Sequence, residues 1–391
     1  MGHGLPADPS AGRMAVSAIF RMVRHSRRKV ERSCWRTYDD NGKARLHAPA
    51  VSGRGRRFQY GSGTRRVAPS LGARCRPAAR PQNDFVVLLR RHGSHVAGAK
   101  AFETFLDYCA KQGIAGEASA ILGTSGRSMS RHPDEEEKAF LKQVARAWEC
   151  GIDTHMELMT HQALFDFDAD RSKDGATHEG LWLHEPGITV EEYQRYFAAI
   201  LAEGQRAGVR FTGLTWPGCS CDACTRRYAE LRAGGHSEPN PAMWKALLNL
   251  AQEGKFRGRT VPCFFNSSES DYGIHRKASD GPYAVYDLMP NALDHFGIWE
   301  NNPKRVDPDY YITADGKSGI IVRHVQSGAP YCIWYAHWQG LNPAKGVGWP
   351  AFTTVVERIS KHLRERVVWM RPSEITERYH AAGGWDFLEH M

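Results

Sequence analysis

Strand and helix patterns alternate along most of this chain, from residue 83 to the C-terminus. Parallel neighbouring strands need a crossover, usually a helix, so repeated strand–helix units favour an α/β fold with a parallel sheet. At 391 residues the chain is long enough to bury a large core. We therefore expect residues 83–391 to fold as a (β/α) barrel.

The elements of this expected barrel follow from short apolar runs and from apolar residues at helical spacing. The predicted strands cover residues 85–89, 117–122, the first half of 151–161, 209–215, 260–265, 283–288, 319–324, 332–335 and 367–370. The predicted helices cover residues 99–112, 133–148, 190–207, 240–252 and 351–363, followed by a short helix near the C-terminus.

Charge divides the chain into two parts. Residues 1–80 carry 18 Lys and Arg against 4 Asp and Glu, whereas the other 311 residues carry 34 basic and 39 acidic side chains. The segment 1–82 has few apolar residues and no sustained period, which is typical of disorder. It suits a nucleic-acid-binding tail, an Arg-rich targeting segment or an extension without a role in the fold. Its composition of GC-rich codons favours the extension, so we expect no nucleic-acid partner.

Several classes of protein are disfavoured by what the sequence lacks. It contains no apolar run of about 18 residues that would span a membrane and no pattern of a secretory signal. Nine scattered cysteines are too few for a disulfide scaffold, so we expect a cytoplasmic location. There is no phosphate-binding glycine loop, nucleophile elbow or dinucleotide fingerprint. The sequence leaves the oligomeric state open.

The segment 151–161 carries the densest polar pattern in the predicted barrel. On a strand, Asp153, His155 and Glu157 would share one face, and His161 follows four residues after Glu157. Two imidazoles and a carboxylate at these spacings suit a divalent metal such as zinc. The alternative is a polar strand end whose histidines only form hydrogen bonds.

A cysteine cluster follows the predicted strand 209–215. Cys219, Cys221 and Cys224 place three thiols within six residues, and a closed metal site would need a fourth ligand, for which Cys263 is the candidate. The alternatives are a redox pair formed by the second and third cysteines, or a structural turn. We favour the structural turn.

Aromatic and amide side chains are concentrated near one strand end. Trp334, Trp338, Gln339 and Asn342 lie within nine residues, and Trp216 follows another predicted strand. Indole faces stack on sugar rings, while amides hydrogen-bond to hydroxyl groups. We expect these residues to bind a carbohydrate, although tryptophans also serve as core packing.

The order of these elements resembles that of the polysaccharide-deacetylase family, the NodB-like carbohydrate esterases, over residues 84–380. In that family the first strand ends in two aspartates, where this chain has Arg91 and His92. The family's His-Ser/Thr-x-x-His motif is similar to residues 157–161, with Glu157 in place of the first histidine and His161 as the second.

Later segments extend the resemblance. Thr215-Trp-Pro-Gly218 is similar to the family's Arg-x-Pro-Tyr/Trp-Gly motif without its arginine. His337 stands where the family has the histidine of a Leu-His motif, and residues 367–375 look like the family's closing strand and Ser-Glu-hydrophobic ending.

The resemblance implies a distorted (β/α) barrel of seven or eight strands. It also implies metal-dependent hydrolysis of an N- or O-acyl group on a carbohydrate. It implies a divalent metal such as zinc, held by His92, His161 and either His155 or Glu157. The metal would polarise the acyl carbonyl and lower the pKa of a bound water molecule.

The acid–base groups also follow from the resemblance. Glu157 is the expected base if His155 binds the metal, and Asp153 is the base if Glu157 is itself a ligand. His337 is the expected general acid, which would protonate the leaving amine or alkoxide.

Two other functions remain open. Asp287 and Glu300 flank a strand-to-loop region, and two carboxylates across a cleft are the signature of a glycoside hydrolase, with Glu157 as a further participant and no metal. Loss of both first-strand aspartates instead suits a barrel that binds a glycan without turnover.

Overall fold

The structure, a computed structural model, describes residues 16–18, 37–38, 44–45, 98–122, 135–161, 163–173, 177–218, 222–265, 267–269 and 272–384. The chain divides into two compact units, one of residues 1–23 and 82–391 and one of residues 24–81. The predicted strand 85–89 and most of the basic segment lie outside the described residues, so the expected domain boundary at residue 82 stays a prediction.

The described strands are β1 (Val16–Ala18), β2 (Thr37–Tyr38), β3 (Ala44–Arg45), β4 (Gly116–Ala120), β5 (Ile152–Met156), β6 (Phe165–Asp166), β7 (Arg171–Ser172), β8 (Gly213–Thr215), β9 (Thr260–Phe264), β10 (Ile274–Asp280), β11 (Tyr283–Leu288) and β12 (Trp334–Ala336). The described helices are α1 (Gly98–Gln112), α2 (Glu135–Arg146), α3 (Glu179–Trp182), α4 (Val190–Arg206), α5 (Asp222–Ala233), α6 (Pro241–Gln252), α7 (Pro308–Tyr311), α8 (Ile320–Ser327), α9 (Trp338–Leu341), α10 (Trp349–His362) and α11 (Pro372–Ala381). Two 3₁₀ turns cover Ala147–Cys150 and Pro303–Arg305.

A six-stranded sheet forms the centre of the first unit, in the order β10-β11-β9-β8-β5-β4. The pairs among β11, β9, β8, β5 and β4 are parallel, and only β10 joins antiparallel, at the edge. Strand β12 pairs antiparallel with β1, and Ala292 forms a parallel bridge to Trp334. The predicted α/β class and its mostly parallel sheet are confirmed, whereas closure into a barrel stays a prediction.

The longer helices begin and end where local sequence favours it. Thr189 caps α4 by accepting from the backbone of Glu192, whose side chain accepts in turn from the Thr189 backbone. Asn240 caps α6, which has Pro241 in its first turn, where the missing N–H costs no hydrogen bond. The apolar faces of α4 and α6 are buried in the main hydrophobic cluster, so packing stabilises both helices.

Two predicted strands are wrong. Residues 320–324 belong to α8, which follows Gly319 with φ of 111° and ends before Gly328 in the left-handed conformation. A short apolar run does not distinguish a buried strand from one face of a helix, and here the run packs as a helix face. Residues 367–370 are irregular backbone that leads into α11. Strand β10 and helix α5 were not predicted from the sequence.

None of the helices within the described residues is both long enough and apolar enough to cross a membrane.

A buried carboxylate joins the sheet to the last helix. Asp153 on β5 accepts a hydrogen bond from the Ser373 backbone N at 2.8 Å and another from Ser373 Oγ at 2.9 Å, in the first turn of α11. Burial raises the pKa of Asp153 to about 7, although the Ser373 hydrogen bonds oppose that shift. Asp153 precedes Glu157 by four residues, which is about 13 Å along a strand. Its position therefore supports a structural role rather than the predicted role of alternative base.

We predict that Asp153→Asn flattens the dependence of stability on pH. A folded-state pKa of about 7 exceeds the ordinary value of 3.8, so the folded protein retains a proton that the unfolded chain loses. The contribution of Asp153 to the free energy of unfolding is then greatest below pH 4 and falls, by roughly 3–4 kcal/mol, as the pH rises through 7.

The measurement is urea denaturation of the wild type and of Asp153→Asn at pH 4.5, 6 and 8. Asp168→Asn, at an exposed position, is the matched control and should follow the wild type. A stability difference between wild type and Asp153→Asn that stays constant with pH would contradict the assignment.

Candidate functional site

Polar side chains line one face of the sheet where β4, β5 and β8 meet. The register places Glu117 beside Asp153 and Ser119 beside His155, with Gly213 on the other side of His155. These four polar side chains are 0–2% exposed. Parallel strands present their carboxyl ends at one edge, so this face leads toward the edge where sites form in α/β proteins.

Glu157 and His161 meet directly after β5. Ser119 Oγ donates to Glu157 Oε2 at 2.7 Å, and His161 Nε2 lies 3.6 Å from Glu157 Oε1. Glu157 is fully buried and His161 is 5% exposed. A carboxylate beside an imidazole in a water-poor setting can exchange protons with a bound reactant, so this Glu157–His161 pair has the chemistry of an acid–base site.

The loop between these two residues has an unusual backbone. Leu158 and His161 have φ of 59° and 66°, in the left-handed region that bulky L-residues rarely occupy. Such conformations cost on the order of 1–3 kcal/mol each and persist only where the surroundings hold them. The loop must therefore be held by contacts beyond its own sequence.

Glu179 supplies those contacts. Its carboxylate accepts from the backbone N of Met159 at 3.2 Å, of Thr160 at 2.9 Å and of His161 at 2.7 Å, and also from the Tyr196 hydroxyl. Burial raises the pKa of Glu179 to about 7, while the hydrogen bonds from Tyr196 and the three amides act in the opposite direction. Four donors on one buried carboxyl fix the loop that carries the Glu157–His161 pair.

A further imidazole lies beside this pair. The ring of His178 is 5.6 Å from that of His161 and nearly perpendicular to it. His178 Nδ1 accepts from the Gly180 backbone N at 3.0 Å, which places the proton of a neutral ring on Nε2. Neither Glu179 nor His178 was foreseen from sequence, although Thr177-His-Glu-Gly180 has the same mixture of residues as the segment 151–161.

His155 belongs to a separate group. Its Nδ1 is 3.2 Å from Thr215 Oγ1 and 3.6 Å from Glu117 Oε1, and its ring stacks on Phe264 at 5.3 Å. Gly213 makes room for it, since a Cβ at that position would overlap the His155 ring. The two predicted ligands therefore have different partners: His155 lies on β5, and His161 lies in the loop that follows it.

The structure describes only some of the predicted metal ligands. His92 lies outside the described residues, and within them no group of three His, Cys, Asp or Glu side chains is arranged to hold a metal ion. His161 Nε2 and the Glu157 carboxylate are a nitrogen and an oxygen donor of the kind that zinc accepts.

His337, the predicted general acid, is oriented by a buried carboxylate. Its Nδ1 lies 2.7 Å from Asp294 Oδ2, and its backbone N donates to the same oxygen at 2.9 Å. The Asp294 side chain is 3% exposed and that of His337 is 19% exposed. A proton on Nδ1 shared with Asp294 leaves Nε2 as the nitrogen able to exchange a proton with a ligand.

Three of the predicted carbohydrate-binding residues are built into the fold. Trp334 is fully buried among core aromatic rings, and Trp338 is 7% exposed, with its ring edge against Phe102. Asn342 is buried and accepts from the Ala344 backbone N at 2.9 Å, which closes a turn. These contacts are those of packing and turn formation.

Trp216 and Gln339 are half-buried. Trp216 Nε1 donates to the Gly180 carbonyl oxygen at 2.9 Å, next to Glu179 in α3. Among the five predicted residues, Trp216 is therefore tied directly to the helix that supports the Glu157–His161 pair.

The cysteine cluster is described only at Cys224, which is disulfide-bonded; Cys219 and Cys221 lie outside the described residues. A disulfide sulfur is not the thiolate that zinc binds. Cys263 is a free, fully buried thiol whose pKa burial raises, so it resists forming a thiolate. The disulfide speaks against a zinc site at Cys224, and it fits both the structural turn and the redox pair.

The two carboxylates of the glycosidase alternative differ in setting. Asp287 is buried, accepts from the Phe265 backbone N at 3.2 Å and lies 3.9 Å from Lys277 Nζ. Glu300 is exposed and is 3.5 Å from Asn302 Nδ2. Asp287 thus binds the backbone just after β9.

In comparisons with known proteins, no family model matches the chain and no curated protein matches it significantly.

We predict that Glu179→Gln destabilises the protein by about 2–4 kcal/mol, because an amide nitrogen would face backbone donors in a buried setting. Tyr196→Phe is the matched control. It removes one of the four donors to Glu179 and also the acceptor of the Phe165 backbone N, and it should cost about 1–2 kcal/mol.

Urea denaturation at pH 7 measures both changes. Equal, small losses for the two variants would show that the carboxylate does not support the loop.

Proposed function

We propose that the protein is a hydrolase that removes an acyl group from a carbohydrate. One observation carries the proposal: Glu157 and His161 lie 3.6 Å apart, buried, directly after a parallel strand. Their loop has a strained backbone that three hydrogen bonds to Glu179 stabilise. Proteins retain such strain where a reactive geometry needs it.

In this proposal Glu157 activates the attacking water. Ser119 donates to one of its carboxylate oxygens, and the other lies 3.6 Å from His161 Nε2. Removal of a proton from water by a positioned carboxylate is general-base catalysis. Proton transfer of this kind contributes about 10²–10⁴-fold to rate.

His337 protonates the leaving amine or alkoxide through Nε2. Asp294 holds the ring in one tautomer and stabilises the imidazolium before it gives up its proton. Both Glu157 and His337 follow the last residue of a strand by one position, which is where catalytic groups are found in (β/α) barrels.

The proposal includes a divalent metal such as zinc. His161 is its ligand among the described residues, with His92 as the second proposed ligand. The metal would polarise the acyl carbonyl and so ease its attack by water, from which Glu157 removes a proton.

We expect Glu157→Gln and His337→Gln each to lower kcat for acetate release by about 10²–10⁴-fold. The substrates are acetylated xylo-oligosaccharides and N-acetylated chito-oligosaccharides, and released acetate is the readout. Thermal denaturation checks that the variants fold.

Glu300→Gln is the control and should leave acetate release unchanged. Release of reducing ends instead of acetate, lost in Glu300→Gln, would support the glycoside hydrolase. Unchanged acetate release in Glu157→Gln and His337→Gln would overturn the proposed mechanism.

For the metal, we expect about one divalent ion per chain in the purified full-length protein and a large loss in His161→Ala. Elemental analysis after incubation with zinc and dialysis measures this. His236→Ala, at an exposed position, is the control. A full complement of metal in His161→Ala would remove that residue from the ligand set.

A further inference from the structure

Two arginines pack against one indole at the amino edge of the sheet. The Cζ atoms of Arg371 and Arg257 lie 3.8 and 4.2 Å from the centre of the Trp148 ring. Trp148 precedes β5 and Arg257 precedes β9, and these two strands are parallel, with β8 between them. The Arg–Trp cluster, formed by Arg257, Trp148 and Arg371, therefore lies at the opposite edge of the sheet from Glu157, which follows β5.

The two guanidinium groups are close enough to share one anion. Their Cζ atoms are at most about 8 Å apart, which is the sum of their distances to the ring centre. One phosphate can bridge that span, because N–H···O bonds of about 2.8 Å on each side hold two Cζ atoms at a similar separation. All three residues of the cluster are half-buried, so a small anion can reach them.

Arg257 differs from Arg371 in its partners. Arg371 Nη2 donates to Glu374 Oε1 at 2.7 Å, whereas no carboxylate pairs with Arg257 among the described residues. Arg257 Nε is buried and has no hydrogen-bond partner. A buried donor without an acceptor is costly, and an oxyanion at this position would supply the acceptor. The backbone of Arg257 is fixed, because its N donates to the Phe211 carbonyl oxygen at 2.9 Å.

The charges around Arg257 leave its cation only partly compensated. Arg210 adds another guanidinium, whose Nη2 donates to two backbone carbonyl oxygens rather than to a carboxylate. Asp153 is bound by Ser373, and its pKa of about 7 means that it is about half protonated at neutral pH. Glu149 is exposed to solvent. Burial and the charge of Arg210 lower the pKa of Arg257, so a bound anion would stabilise its charged form.

We propose that the Arg–Trp cluster binds a phosphate group, either as free phosphate or as the phosphate of a small monoester. Arg257 and Arg371 each offer a planar fork of N–H donors, which matches phosphate oxygens. Trp148 holds both side chains in place, so little of their freedom is lost on binding. This site lies apart from the Glu157–His161 pair and does not depend on the proposed hydrolase.

A bound phosphate would also join the last helix to the sheet. Arg371 immediately precedes α11, and Arg257 lies three residues before β9. An anion held by both arginines therefore opposes the separation of α11 from the sheet. If that separation abolishes binding, phosphate at ten times its Kd should slow amide exchange in α11 by about tenfold.

The test is calorimetric titration of the full-length protein with inorganic phosphate and with glucose 6-phosphate, at constant ionic strength. We expect saturable binding in the wild type. Arg257→Gln should weaken it by about ten- to hundredfold, because charge-assisted hydrogen bonds to the phosphate are lost. Arg257→Lys keeps the charge but not the planar fork, so its affinity should lie between those of Arg257→Gln and the wild type.

Arg226→Gln is the matched control. It removes the same charge from an exposed position on α5, outside the cluster, and should leave the affinity for phosphate unchanged. Both probes bind the cluster if the site exists, and their affinities distinguish the two sources of the phosphate group. Tighter binding of glucose 6-phosphate would support a monoester as the ligand, whereas equal or weaker binding would support free phosphate.

Two results would overturn the site. One is the absence of saturable binding of either probe to the wild type. The other is an equal loss of affinity in Arg257→Gln and Arg226→Gln, which would mean that phosphate responds only to net charge. Hydrogen exchange of the wild type provides a test that needs no variant: protection of α11 that saturating phosphate leaves unchanged would overturn the proposed link between the helix and the sheet.

Discussion

The candidate site depends on one buried carboxylate that binds mainly backbone. Glu179 takes three consecutive amides and the Tyr196 hydroxyl, and these bonds offset both the cost of burying its charge and the strain at Leu158 and His161. The interaction also joins three parts of the chain, since Glu179 begins α3, Tyr196 lies in α4 and the amides follow β5. Without it, the Glu157–His161 pair would lose the geometry on which the proposed chemistry rests.

A similar arrangement recurs at Asp294 and His337. Asp294 holds both the ring and the backbone of His337, and its other oxygen fixes Phe296. In one place a buried acid fixes the backbone that carries an imidazole, and in the other it holds the imidazole itself. Preorganisation of this kind is what distinguishes a site from a chance cluster of polar residues.

The sequence predicted what depends on local pattern. The alternation of strands and helices foretold the parallel sheet, and the period-two spacing placed His155 and Glu157 on one buried face. It did not foretell Glu179 or Asp294, because their partners lie 17–20 and 43 residues away and no local rule connects them. The misassigned strand at residues 319–324 has the same origin, since packing, not the apolar run itself, decided the helix there.

The hydrogen bonds between Asp153 and α11 make the local opening of that helix depend on pH. Once that carboxyl is ionised, hydrating it requires the first turn of α11 to separate from the sheet. Mildly alkaline solution should therefore favour a partly open state in which α11 exchanges its amide protons while the sheet remains protected. The C-terminal helix would then behave as a proton-linked unit of local unfolding.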